Sequence, residues 1–140
     1  MSTVIRPEIS KKNKWWISRE RYYELKHFCL QYPEWRQEYL HSIKYPELSD
    51  VMSHGNPEWN DPTGTSVELM EMYRRKMDLV ESSAKEADKD LWCFILLAVT
   101  EDIPYVKLKM IHEIPCGRDM YYDRYRKFFH ILSRKKQCVE

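Results

Sequence analysis

The chain has 140 residues, of which 43% are hydrophobic and 32% are charged, so we expect a globular protein with a buried core. No segment approaches the run of about 20 apolar residues that a membrane helix needs, which argues against a membrane-spanning protein. The first residues lack the apolar stretch of a signal peptide, and the four cysteines show no paired spacing. We therefore expect a reduced, cytoplasmic protein.

The net charge of +1 conceals a strong asymmetry along the chain. Residues 1–45 carry 9 basic and 5 acidic side chains, a net charge of +4. Residues 46–102 carry 5 basic and 13 acidic side chains, a net charge of −8, whereas residues 117–136 carry 7 basic and 2 acidic ones, a net charge of +5. The basic C-terminal block indicates a polyanionic partner, and a basic helix face that meets only water is the alternative.

The N-terminal half predicts an arm, a helical part and a linker. Residues 1–14 are polar and basic, which predicts a basic arm. Residues 15–45 predict an N-terminal part of two helices, the first capped by Ser18 and the second opened by Pro33. Residues 46–64 are rich in proline and glycine, which predicts a linker.

The second half predicts further helices. Thr65 and Glu68 form a capping-box pattern, so a helix is expected to begin at Thr65 and to extend to about Ala87. Its apolar stripe suits either a core or the seam of a homodimer. Asp88 is expected to cap a further helix with an apolar body at 91–99, which other helices should surround. Because glycine is rare and strand-type alternation is scarce, the predicted fold class is all-α.

The C-terminal helical domain, residues 65–140, is predicted to contain a helix-turn-helix at about 89–135. The pattern predicts a buried helix, a short helix, a tight turn and a basic helix, in that order. Pro104 suits the start of the short helix. Four apolar residues are then available for burial: Val106, Leu108, Met110 and Ile111. In the turn, Ile114 is expected to be an apolar plug and Gly117 to supply unusual backbone dihedrals.

The last helix, predicted from Arg118 to about Lys135, has two different faces. Its core-facing stripe is predicted to contain Tyr121, Tyr125, Phe128 and Leu132. The candidate DNA-binding residues are Arg118, Asp119, Tyr122, Arg124, Arg126, Lys127, Arg134, Lys135 and Lys136. Arg118 lies at the helix N-terminus, where base edges are read, and arginine pairs with guanine through two hydrogen bonds. The basic residues on the flanks and at the far end are expected to contact phosphates.

The segment from Ile114 to Tyr122, followed by Arg126-Lys127-Phe128-Phe129 and Leu132, resembles part of a known family. It is similar to the C-terminal helix-turn-helix of phage late-gene transcriptional regulators of the RinA/ArpU type, which in turn resembles the promoter-binding motif of sigma factors. Tyr32-Pro33-Glu34-Trp35 resembles the family's early Tyr-Pro breakpoint between two helices.

The resemblance implies a phage-encoded transcription activator that binds double-stranded DNA in the bacterial cytoplasm, alongside host RNA polymerase. Two positions depart from the family pattern, because members often have serine where Gly117 stands and threonine where Met120 stands. Losing both hydroxyl groups removes a helix cap and a contact to phosphate or base.

Other function classes have weaker support in the sequence. No helical zinc motif, phosphate loop or nucleophile elbow occurs, so we expect no metal, no cofactor and no enzyme activity. Adjacent Trp15 and Trp16 cannot both point inward on one helix, which leaves open a protein-interaction or inhibitor protein that acts on a host protein. A small terminase subunit, which carries a helix-turn-helix but forms rings, is the other alternative.

Overall fold

The fold comes from a computed structural model, which describes residues 12–44 and 62–139. Within these ranges the chain forms α-helices and no β-strand, which confirms the predicted all-α class. The helices are α1 (Arg19–Leu30), α2 (Tyr32–Lys44), α3 (Pro62–Ala87), α4 (Trp92–Glu101), α5 (Tyr105–Met110) and α6 (Arg118–Val139). None of these described helices combines the length and the apolarity that crossing a membrane requires. Most of the predicted basic arm and of the predicted linker lies outside the described residues.

The described chain divides into two compact units that do not follow chain order. The central unit contains residues 32–44 and 62–78, and the terminal unit contains residues 12–31 and 79–139. The sequence grouped α1 with α2, whereas α1 packs on α4 and α6. The reason is the apolar face of α1, whose buried residues are Tyr22, Leu25 and Cys29.

In the central unit, α2 and the first part of α3 are joined by an aromatic and a polar contact. The ammonium group of Lys76 lies 5.4 Å from the ring centroid of Trp35, which is buried. Arg74 donates a hydrogen bond of 3.4 Å to the hydroxyl of Tyr39. Both contacts join residues that are far apart in the sequence, so they fix how these two helices pack within the unit.

The beginning of α3 differs from the prediction. The helix begins at Pro62, so Thr65 lies inside it and the predicted start at Thr65 is wrong. Proline is well tolerated in the first turn of a helix, where its missing N–H would have no intrahelical partner. A capping-box pattern therefore does not mark the first residue of a helix when a proline a few residues earlier can begin it.

The turn before α4 is organised by Asp88. Its Oδ1 accepts hydrogen bonds from the backbone N–H groups of Asp90 and Leu91, each 2.8 Å long. Asp88 therefore holds the turn that leads into α4 rather than capping its first residue. The buried residues of α4 are Ile95, Ala98, Val99 and Thr100, whereas Cys93 is exposed, so α4 is not surrounded on all sides as expected.

The aromatic face of α6 forms much of the core of the terminal unit. Tyr121, Phe128 and Leu132 are buried, which agrees with the predicted stripe. Tyr125 is half-buried, and its hydroxyl lies 3.0 Å from the hydroxyl of Tyr22 on α1. Phe129 is also fully buried, and its ring centroid lies 5.0 Å from that of Tyr22. Each fully buried side chain of this size stabilises the fold by about 1.5–3 kcal/mol.

Short helix α5 buries only one narrow stripe. Tyr105 and Leu108 are buried, whereas Val106, Met110 and Ile111 are exposed by 51%, 77% and 66%. The prediction that these three residues are buried is wrong. Val106 and Met110, four residues apart, lie on the side of the helix opposite Tyr105 and Leu108, and Ile111 is the C-cap residue that follows the helix.

The connection between α5 and α6 contains one residue in a left-handed conformation. That residue is Glu113, with a φ of 53°, whereas Gly117 has no positive φ. The turn at Glu113 lets the N–H of Ile114 reach the carbonyl of Leu108 at 3.2 Å, and Ile114 is buried as the expected plug. Gly117 instead precedes α6, and its carbonyl accepts the N–H of Tyr121 at 3.0 Å. The prediction that Gly117 supplies unusual dihedrals is therefore wrong.

Replacing Glu113 with glycine should stabilise the protein. The left-handed conformation costs a non-glycine residue about 1–2 kcal/mol, part of which the greater freedom of glycine in the unfolded chain offsets. We expect Glu113→Gly to raise the free energy of unfolding by about 1 kcal/mol in urea titrations.

A matched variant tests whether Gly117 lacks a positive φ. A side chain at Gly117 would meet no atom within 4 Å, and serine caps a helix better than glycine. Gly117→Ser should therefore raise stability by about 0.5 kcal/mol. A loss of more than about 1 kcal/mol would place the left-handed residue at 117 and contradict the structure.

Candidate nucleic-acid interface

Arg118, the first residue of α6, is exposed and rests on an aromatic ring. Its guanidinium carbon lies 5.6 Å from the ring centroid of Tyr105 on α5. Tyr105 is itself fixed, because its hydroxyl donates a hydrogen bond of 2.9 Å to the carbonyl of Cys116. The ring holds the guanidinium through its face and leaves the N–H groups available to a ligand. Arg118 has no carboxylate partner among the described residues.

Tyr122 and Asp119 share the first turns of α6 with Arg118. Asp119 is exposed, and Tyr122 is half-buried. The Tyr122 ring packs on Tyr121 at a centroid distance of 5.2 Å and on Tyr105 at 6.1 Å. Tyr122 is thus held by other aromatic rings rather than projecting freely, and only one side of it is open to a partner.

Arg124 is occupied within the protein. Its Nε donates a hydrogen bond of 2.9 Å to Oδ2 of Asp88, and its Nη1 donates to Asp123. Burial on its own would raise the pKa of Asp88. The N–H groups of Leu91 and Asp90 and the guanidinium of Arg124 outweigh it, so the pKa lies below its ordinary value. The hydrogen bond that Arg124 donates to Asp88 is the main cause of the raised pKa of Arg124.

Two lysines near the C-terminal end of α6 are also held by acidic residues of other helices. Nζ of Lys135 lies 3.0 Å from both Oγ of Ser82 and Oε1 of Glu86 on α3. Nζ of Lys136 lies 3.7 Å from Oε1 of Glu24 on α1, and its side chain is only 15% exposed. These contacts tie α6 to α3 and to α1.

The remaining candidate cations of α6 have no carboxylate partner among the described residues: Arg118, Arg126, Lys127 and Arg134. Arg134 is exposed, whereas Arg126 and Lys127 are half-buried. The structure thus separates the seven predicted basic residues of α6 into three that are ion-paired and four that remain available to an anion.

Sequence reasoning missed two exposed cations of α5, Lys107 and Lys109. Nζ of Lys109 lies 3.4 Å from the carbonyl of Ile114, so this lysine also stabilises the turn. The signal in the sequence is Lys107-Leu108-Lys109, in which one lysine lies on each side of buried Leu108. In a helix-turn-helix the helix before the recognition helix crosses the DNA backbone, where lysines bind phosphates.

Trp15 lies against the middle of α6. The ring centroid of Trp15 is 5.4 Å from that of His130. The ammonium groups of Lys14 and Lys127 lie 4.9 and 5.4 Å from the same Trp15 centroid. Nε1 of Trp15 and Nδ1 of His130 are buried without a hydrogen-bond partner among the described residues. The packing of Trp15 on α6 therefore relies on ring and cation contacts.

Comparison with protein-family models found no match, and comparisons with curated proteins and with solved structures found none either. Within the described part of the chain, no group of three or more histidine, cysteine, aspartate or glutamate residues is arranged to hold a metal ion. The function is therefore argued from the geometry of the site.

Removing the Asp88 side chain should destabilise the protein in a pH-dependent way. Asp88→Ala removes two hydrogen bonds to backbone N–H groups and the partner of Arg124, a loss on the order of 2 kcal/mol at pH 7. Because the pKa of Asp88 is lowered on folding, its stabilising effect is present above the unfolded pKa of about 3.9. It is lost as the pH falls through the lower, folded pKa.

Urea unfolding of the wild type and of Asp88→Ala between pH 7 and pH 3 measures this difference. It should be constant near neutrality and shrink at acidic pH. Asp90→Ala is the matched control, because that side chain is exposed, and it should change stability little at any pH. A difference that grows on acidification would contradict the assigned direction of the pKa shift.

Proposed function

We propose that the chain is a sequence-specific DNA-binding transcriptional regulator, phage-encoded, which reads a major groove with the first turns of α6. The observation that carries the proposal is Arg118, which is exposed at the N-terminus of a basic helix and seated on Tyr105 without a carboxylate partner among the described residues. An arginine held in this way loses little conformational freedom when it binds, so more of its hydrogen-bond energy is available to distinguish guanine from other bases.

The order of elements supports a helix-turn-helix. The apolar helix α4 is followed by short α5, a turn and basic α6. Seven residues separate α5 from α6, more than the three to four of the simplest motifs. Ile111 and His112 still bond to the carbonyls of Lys107 and Leu108, which extends the helical path of α5 and leaves 113–117 as the turn.

The available charges support a binding mode that uses α5 and the unpaired cations of α6. Since Arg124, Lys135 and Lys136 are ion-paired, phosphate contacts are assigned to the unpaired cations of the two helices. These are Lys107, Lys109, Arg126, Lys127 and Arg134. Five such contacts give a slope of about −4.5 for log K against log salt concentration.

The role in transcription rests on the resemblance of Ile114–Tyr122 and Arg126–Phe129 to RinA/ArpU-type regulators. That resemblance implies that the partners are double-stranded DNA and RNA polymerase and that the protein acts in the bacterial cytoplasm. A homodimer would allow the protein to bind two half-sites, as helix-turn-helix proteins commonly do.

Replacing Arg118 with alanine should relax sequence preference. Loss of a two-bond contact to guanine should cost about 1–3 kcal/mol on the preferred site and little on unrelated DNA. The preferred duplex is first selected from a random pool, and fluorescence anisotropy then compares affinities for this duplex and for a scrambled one. The ratio of the two affinities is expected to fall about 5- to 150-fold.

Two further variants control this experiment. Arg134→Ala should weaken binding to both duplexes equally and make the salt slope shallower by about 1. Arg75→Ala removes an equally exposed arginine from the central unit, where it pairs with Glu71 at 2.7 Å, and should change neither quantity. If Arg118→Ala lowers affinity for both duplexes by the same factor, Arg118 does not read bases.

A second candidate function, binding of another protein, is favoured by the outer face of α5. Val106 and Met110 are large apolar residues on one side of this six-residue helix, Ile111 is the C-cap residue that follows it, and all three are more than half exposed. Proteins that act alone rarely leave adjacent apolar side chains so exposed, and methionine is common on surfaces that bind protein partners. RNA polymerase, another host protein and a second copy of the chain are the partners to test.

The double variant Met110→Ser, Ile111→Ser tests this face. If the face binds a second copy, sedimentation at rising concentration should show a dimer for the wild type and a monomer for the variant. A mass of eight chains or more would favour a small terminase subunit. If both proteins are monomers, binding of purified bacterial RNA polymerase is measured next, and equal affinities for wild type and variant would rule out this face as its docking surface.

A further inference from the structure

Two cations of the terminal unit share one aromatic ring. The ammonium groups of Lys14 and Lys127 lie 4.9 and 5.4 Å from the ring centroid of Trp15. The two ammonium groups are therefore at most about 10 Å apart, which is the Debye length at about 0.1 M salt. Lys14 precedes α1 and Lys127 lies in the middle of α6, so the tertiary fold brings them together.

The segment that carries Lys14 has a fixed backbone. Oδ1 of Asn13 accepts the N–H of Trp15 at 2.8 Å, and the carbonyl of Asn13 accepts the N–H of Trp16 at 3.0 Å. Ile17 is buried, and Ser18 caps α1 through a hydrogen bond of 3.3 Å from the N–H of Arg21. The position of Lys14 beside α6 is thus set by the packing of residues 13–18.

The two lysines on Trp15 form no ion pair within the part of the chain that the structure describes. Neither Lys14 nor Lys127 has a carboxylate partner among the described residues. Elsewhere in the terminal unit, Arg124 and Lys135 are paired with Asp88 and Glu86. Two like charges placed together without a counter-charge oppose folding slightly and favour binding of an anion.

The anion is identified by the arrangement of cations along α6. Arg134, exposed and without a partner among the described residues, lies seven residues after Lys127, which is two helical turns or about 10 Å along the same face. Cations repeated along a helix face suit a polymer that carries a charge on every unit, and less so a single carboxylate. The phosphate backbone of a nucleic acid has this property.

We propose that Lys14 and Lys127 together bind one phosphate group of the nucleic-acid backbone and that Trp15 is the residue that positions them. This clamp, defined as Lys14, Trp15 and Lys127, rests on the proposed DNA-binding function and adds a phosphate contact from the segment before α1. Its contribution is to affinity and not to base recognition, because phosphates carry no sequence information.

The test compares Lys14→Ala, Lys127→Ala and the double variant with the wild type by fluorescence anisotropy over a series of salt concentrations. Each single variant should weaken binding by the same factor on selected and scrambled duplexes and should make the salt slope shallower by about 1. If both lysines hold one phosphate, the double variant should lose less than the two single losses combined.

Lys85→Ala is the matched control. Lys85 is also an exposed lysine on a tryptophan, with its ammonium group 4.8 Å from the ring centroid of Trp92, and no second cation of the described residues lies on that ring. Its removal should leave affinity and salt slope unchanged. An equal loss for Lys85→Ala would mean that overall charge, and not the pair on Trp15, sets the affinity, which would overturn the clamp.

The positioning role of Trp15 needs a readout beyond stability. Trp15→Phe keeps an aromatic face and should retain most of the salt slope, whereas Trp15→Leu should make it shallower with both lysines still present. In the background of Lys14→Ala and Lys127→Ala, Trp15→Leu should have no further effect on the slope. Thermal unfolding of each variant confirms that it is folded at the assay temperature. A further loss of slope in that background would show that Trp15 acts through other residues.

Heparin chromatography separates failure of the clamp from failure of the proposed function. If the wild type binds no duplex but elutes from heparin at higher salt than the double variant, the lysine pair binds polyanions and the DNA function is wrong. If the wild type binds DNA with a preference that depends on Arg118, while the double variant keeps the wild-type salt slope, the clamp alone is wrong. A wild type that binds neither polymer overturns both.

Discussion

Burial of one aromatic face of α6 is the constraint on which the rest of the terminal unit depends. Tyr121, Phe128, Phe129 and Leu132 are fully buried or nearly so, and Tyr125 reaches the hydroxyl of Tyr22 on α1. Burial raises the pKa of Tyr121 and of Tyr125 above the ordinary value, so both phenols stay neutral. Once this face is fixed, the helical repeat determines which α6 side chains reach solvent, because successive residues are rotated by a constant angle.

The fixed rotation of α6 also determines which of its cations meet the acidic residues of neighbouring helices. Asp88, Glu86 and Glu24 neutralise Arg124, Lys135 and Lys136 and thereby use part of the basic charge for packing. Ion pairs with partly exposed partners, such as these, hold helices in place more than they add net stability. The surface charge that remains for a partner is consequently smaller than the composition of 117–136 suggests, and it is concentrated on other faces of the helix.

The apolar periodicity of one long helix is predictable from the sequence, whereas pairing with residues far away in the chain is not. The stripe of α6 and the cap at Ser18 follow from spacing within one helix, and both agree with the structure. The pairing of Arg124 with Asp88 joins residues 36 positions apart, and no periodicity reports it. Glycine tolerates unusual backbone dihedrals best, so the sequence predicts them at Gly117, whose φ is not positive. Glu113 adopts the left-handed conformation instead because the hydrogen bond from Ile114 to Leu108 fixes the turn there.

Under the proposed function, α6 separates base recognition from phosphate binding along its length. Arg118 and Lys127 are nine residues apart, or about 14 Å along the helix axis, so the two contacts fall on different parts of a DNA site. Arg118 is supported by Tyr105 of α5, whereas Lys127 is supported by Trp15 of the segment before α1. That segment lies against α6 through Trp15, and α1, which follows it, packs on the aromatic face of α6 through Tyr22 and Phe129. The same burial that fixes the fold therefore also sets the geometry of phosphate binding.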